Sequence, residues 1–84
     1  MKTNPDLVFK EEFDGTANIF NPEDGQVFGL NQTGCFIWKA IVAGKEFDRI
    51  VSELKAACGG ETPANIDADV KKFIADLAGR GYLA

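Results

Sequence analysis

An α+β fold, with a three-stranded antiparallel sheet followed by three helices, is what this 84-residue sequence predicts. Three observations carry that expectation. Up to Leu30 the chain consists of short strand-like runs separated by the turn signals Asp14-Gly15 and Pro22-Glu23-Asp24-Gly25. From Thr33 the apolar residues recur at helical spacing instead. Gly44 and the pair Gly59-Gly60 then divide the helical part into three.

Asn4-Pro5-Asp6 is turn chemistry and opens the first strand, "LVFKEEF" at 7–13. The second is "TANIFN" at 16–21, where Ala17 and Ile19 alternate with Asn18 and Phe20. "QVFGL" at 26–30 is the third. In a meander of this kind the first and third strands are both edges, and an edge keeps unpaired backbone donors and acceptors. Gly29 lies inside the third strand, where glycine signals either a bulge or a close approach by another backbone.

The first helix places Phe36, Ile37, Ala40 and Ile41 on one face, widened by Trp38 and Val42. Asn31 or Thr33 supplies its N-cap oxygen, and Gly44 stops it. "EFDRIVSELKAAC" is the second helix, with Phe47, Ile50, Val51 and Leu54 in register and Gly59-Gly60 at its end. In the third, Asn65 is the candidate cap, and Ile66, Val70, Phe73 and Leu77 form the main stripe. Ile74 and Ala78 lie beside it, Gly79 and Gly81 close the helix, and Tyr82-Leu83 fold back as an apolar anchor.

One domain is expected at this length, and it sits near the lower limit for a self-supporting core. Seven Phe, one Trp and one Tyr are therefore assigned mostly to that core. The net charge of −4 and the scattered Lys and Arg argue against a nucleic-acid surface. Cys35 and Cys58 lie outside any metal-binding spacing and the sequence has no His, so no metal or cofactor is expected. Cys35 reads as a buried thiol, and a disulfide between the two cysteines stays open. "MKTNPDLVF" lacks a signal-peptide pattern and no segment reaches membrane-spanning length, which points to the cytoplasm and to no membrane partner. Catalysis would need a nucleophile with its base, a metal set or paired carboxylates in a cleft. The single Ser52 lies in a helix, and Glu11-Glu12 and Glu23-Asp24 read as solvated, so no catalytic residue is assigned and a binding module is the better fit.

The ordered set Leu30-Asn31, Thr33-Gly34, Phe36-Ile37-Trp38, Gly44 and the closing Leu77 to Leu83 resembles the PqqD-like proteins. These are the peptide-binding proteins of pyrroloquinoline quinone biosynthesis, within the wider group of RiPP recognition elements. The resemblance spans about positions 5 to 84 and implies a winged-helix-like fold. It implies further that the leader segment of a ribosomally made precursor adds as a strand to the third strand, beside the third helix. The complex is then presented to a modifying enzyme, in several pathways a radical S-adenosylmethionine protein. Carried onto this chain, the backbone of Gln26, Val27, Phe28, Gly29 and Leu30 pairs with the leader. Lys71, Ile74, Ala75 and Ala78 wall the groove, supported by Val70 and Phe73.

Two other readings share the architecture. A winged-helix DNA reader is opposed by the acidic balance, and a homodimer would pair two 26–30 edges. On the strand-addition reading, proline at either Val27 or Phe28 is expected to weaken peptide binding without unfolding the domain.

Overall fold

Asx turns fold the strands of the computed structural model, which describes residues 2–58 and 65–83. The Asp14 carboxylate accepts from the Thr16 N–H at 3.0 Å and the Thr16 hydroxyl at 2.6 Å, closing the turn between β1 (Val8–Glu11) and β2 (Ala17–Asn21). In the next turn Asn21 accepts from Glu23 N–H and Asp24 from Gln26 N–H, which brings in β3 (Gln26–Leu30). The sheet order is β1-β2-β3, antiparallel throughout, as the sequence predicts. The first two strands are shorter than the runs expected at 7–13 and 16–21, chiefly at the turn between them.

Register decides which backbone groups are free. The Glu12 N–H donates to Thr16 O at 2.7 Å, a direct cross-strand bond. Hydrogen-bonded pairs alternate along an antiparallel ladder. Lys10–Asn18 and Val8–Phe20 are therefore bonded pairs too, and Ala17, Ile19 and Asn21 turn their backbone groups toward β3. Their partners there are Leu30, Phe28 and Gln26. Val27 and Gly29 are left with both N–H and C=O pointing away from the sheet. The pairing runs unbroken through Asn18↔Gly29, so Gly29 marks no bulge.

Asn31 follows β3 directly and caps α1 (Gln32–Val42), its side chain accepting from the Gly34 N–H at 2.7 Å. Thr33, the alternative cap, falls inside the helix. At the far end Gly44 N–H donates to Ile41 O and Lys45 N–H to Ala40 O, a Schellman closure that needs the positive φ of 85° at Gly44. The same closure recurs after α3 (Ile66–Gly79), where Gly81 has a φ of 78° and Tyr82 N–H donates to Leu77 O. It returns the chain onto the core, burying Tyr82 as the expected anchor. Asn65 makes no side-chain cap to α3, against expectation; its backbone φ of −105° and ψ of 26° lies outside the extended range of a capping residue. α2 (Phe47–Cys58) ends at the edge of the described residues, and the expected stop at Gly59-Gly60 falls beyond it.

The core lies between the helices and one face of the sheet. Ile19, Ile41, Ile50, Val70 and Leu77 are fully enclosed, and Trp38 stacks on Phe9 with ring centroids 6.4 Å apart. Burying such side chains stabilises the fold by roughly 1.5–3 kcal/mol each. Asn4 ties the chain ends together, its N–H donating to Tyr82 O and its side-chain amide to Gly81 O. Three apolar residues depart from the expected core. Val42 is exposed on the flank of α1, Phe13 stands in solvent at the first turn, and Phe20 lies on the outer face of β2.

Candidate functional site

β3 has β2 on one side and, among the described residues, no strand on the other. Its free edge offers the N–H and C=O of Val27 and Gly29. The alternate residues Phe28 and Leu30 turn inward, because successive strand side chains face opposite ways. Leu30 is buried, and Phe28 is half-buried with its ring edge-on to Tyr82 at 5.8 Å. The Arg80 guanidinium lies over the same ring, 4.4 Å from its centroid, and is held there by Asp76 at 3.2 Å.

Beside this edge is a groove of about 480 Å³ between the end of β3, the start of α1 and the first half of α3. Gly29, Leu30, Asn31, Thr33 and Gly34 form one side, and Ile66, Asp69, Val70 and Phe73 the other. The buried Ile37 and Leu54 make its base. Gly34 packs against the opposite wall: a Cβ there would stand 3.3 Å from Phe73, and as close to Leu30 and the Asn31 side chain. The lining is mostly apolar, and Asp69 is its charged member. Asp67 is paired with Lys55 at 3.3 Å and Asp76 with Arg80, whereas Asp69 has no ion pair among the described residues.

A second depression, of about 420 Å³, lies under β1 and is chemically different. Its charges are already matched, Lys39 to Glu11 at 3.1 Å and Lys45 to Glu53 at 2.6 Å. Hydrogen bonds from Lys45 and then Arg49 hold the Glu53 carboxyl below its ordinary pKa. Cys35 reaches this depression from the core, free of any disulfide, and burial pushes its thiol pKa up. A thiol kept protonated in this way is a poor nucleophile.

Of the residues the sequence singled out, Gly29, Leu30, Val70 and Phe73 meet at the groove. Gln26, Val27 and Phe28 continue the edge beyond it. Ile74 is half-buried against the core, and Lys71, Ala75 and Ala78 are exposed outside the groove lining. Ile66, Asp69, Thr33 and Gly34 were not anticipated as lining. A signal for the first two exists: Ile66, Asp69, Val70 and Phe73 follow the i, i+3, i+4, i+7 spacing of one helix face.

A family model described as "Coenzyme PQQ synthesis protein D (PqqD)" matches residues 17–83. A solved structure of TbiB1 in complex with the TbiA(beta) leader peptide is similar with a TM-score of 0.82 at 25% identity. The match covers 99% of this chain and 94% of that one. No curated protein matches by sequence.

Proposed function

This chain belongs to the PqqD family, and from that premise we propose that it is a non-catalytic recognition domain for the leader of a ribosomally made precursor peptide. The leader adds as a fourth strand at β3 and delivers the attached core segment to a modifying enzyme of the radical S-adenosylmethionine class, in the cytoplasm. The observation that carries this reading is the free edge of Val27 and Gly29 beside an apolar groove. Backbone bonds at such an edge supply affinity, and pockets beside it select side chains. The leader-bound state of the similar structure supports the same use of the fold.

Within this reading Leu30, Val70 and Phe73 receive an inward apolar side chain of the leader, and Phe28 packs beneath the strand. Asp69 favours a basic residue nearby, since its carboxylate has no ion pair among the described residues. A few added-strand hydrogen bonds and one filled pocket correspond to a Kd of roughly micromolar. The test is a pair of nitrogen–proton NMR spectra of the labelled chain, alone and with the short precursor-like peptide encoded nearest to it. Shifts gathered at residues 26–34 and 66–73 are expected. An unchanged spectrum at saturating peptide, with concentration-dependent shifts at 26–30 in the free chain, would instead assign the edge to a homodimer.

A further inference from the structure

The outer face of the sheet carries a feature that the groove does not use. Val8 pairs with Phe20, and Phe20 with Val27, so three apolar side chains lie on one rung facing away from the helices. They are 54%, 39% and 62% exposed. Single exposed apolar residues are ordinary on protein surfaces. These three are contiguous across the whole sheet, and the rung ends at Val27, one of the two residues whose backbone groups are free.

We propose that this rung is a second specificity surface for the bound strand, reading an aliphatic or aromatic side chain that points away from the groove. The inference rests on strand addition at β3 and adds the chemistry of the ligand. Directly opposed residues on neighbouring strands project from the same face, whichever way the added strand runs. The ligand residue opposite Val27 therefore extends the rung to a fourth position and covers the surface Val27 exposes. The adjoining outer rung reads Lys10, Asn18, Gly29. It ends in a residue without a side chain, and a Cβ at Gly29 would meet only Asn18 Oδ1, at 3.7 Å. An outward ligand residue there has no apolar partner. Only one of the two outward positions is thus selected for an apolar side chain, and its neighbours along the ligand face inward. The ligand class is an extended peptide in which an outward apolar residue sits next to an inward one.

The experiment presents a phage-displayed library of short random peptides to the immobilised full chain, as wild type, Val27→Lys and Val27→Thr. Amide spectra establish that each variant is folded; Val27→Thr, β-branched and close in size, keeps the test alive if the lysine variant is not. The wild type is expected to enrich adjacent apolar residues. Val27→Lys should exchange the outward one for Asp or Glu while keeping the inward one. For a selected synthetic peptide, Val27→Thr should weaken binding about fivefold, and the loss should vanish when the outward residue is alanine. A consensus that stays identical across the three chains overturns this inference and leaves strand addition standing. No enrichment by the folded wild type overturns both.

Discussion

The two edges of the sheet are made of the same backbone and treated in opposite ways. β1 presents Phe9 and Glu11 at its free side, with Phe9 stacked on Trp38, Glu11 paired to Lys39 and Lys10 on the outer face. An arriving strand would have to desolvate charge there, a common device for keeping edges unpaired. β3 carries Gln26, Val27, Phe28, Gly29 and Leu30, with no charge among them. The depressions beside the edges follow the same division. The β1 depression carries four charged side chains in two matched pairs; the β3 groove carries one, Asp69, which has no ion pair among the described residues. Openness at an edge is thus decided by side chains, since every edge begins with the same unpaired amides.

The largest expected effect breaks the sheet itself. Phe28 donates its N–H to β2 and packs its ring on Tyr82, so Phe28→Pro should cost about 3 kcal/mol or more. Urea unfolding followed by circular dichroism measures it. The sequence alone grouped this substitution with Val27→Pro as harmless to folding; the register separates them, because only the Val27 N–H is free. Val27→Pro should change stability by less than about 1 kcal/mol yet weaken leader binding at least about tenfold. Its counterpart on the other edge, Glu11→Pro, should leave affinity within about twofold, and calorimetry on both variants tests the asymmetry. If both lose binding equally, the edges are not distinguished as argued.

Asn31→Ala sharpens the junction between β3 and α1. Removing the cap to Gly34 should lower stability by about 1 kcal/mol, read as a lower urea midpoint. The smallest effect belongs to the side with matched charges. Glu53 has its folded pKa lowered, so its contribution to stability is present above the unfolded value and fades as pH falls through the folded one. Glu53→Gln should therefore flatten the acid limb of a thermal-stability profile and leave leader binding unchanged. An acid limb as steep as that of the wild type would show that the ion pairs under β1 do not contribute.

Much of this molecule was legible in its residues. The dipeptides Asp14-Gly15 and Asp24-Gly25 marked the turns, because a short acceptor side chain beside glycine closes a tight reversal by local bonds alone. The α1 cap and the Gly44 and Gly81 closures were readable for the same reason. Helical spacing identified Ile41, Ile50, Val70 and Leu77 as core. It misjudged Val42, since periodicity bounds an apolar face without saying how far a neighbour covers it. The family pattern pointed to Lys71, Ile74, Ala75 and Ala78 as the flank of α3 beside β3; Ile66, Asp69, Val70 and Phe73 line the groove there, while Lys71, Ala75 and Ala78 are turned to solvent.

By itself the sequence determined the order of elements, the turns, the acidic balance and the family pattern, all of which depend on contacts a few residues apart or on composition. Tertiary structure decided the rest. That Val27 and Gly29 rather than Phe28 hold the free amides follows from hydrogen bonds counted from the β1–β2 turn. That Val8, Phe20 and Val27 share a rung follows from the same register. That Ile66, Val70 and Phe73 come to line a groove with Leu30 and Gly34 follows from the seat of α3. Each depends on residues far apart in the chain meeting in one geometry, and a linear pattern records which side chains are available without recording which of them meet.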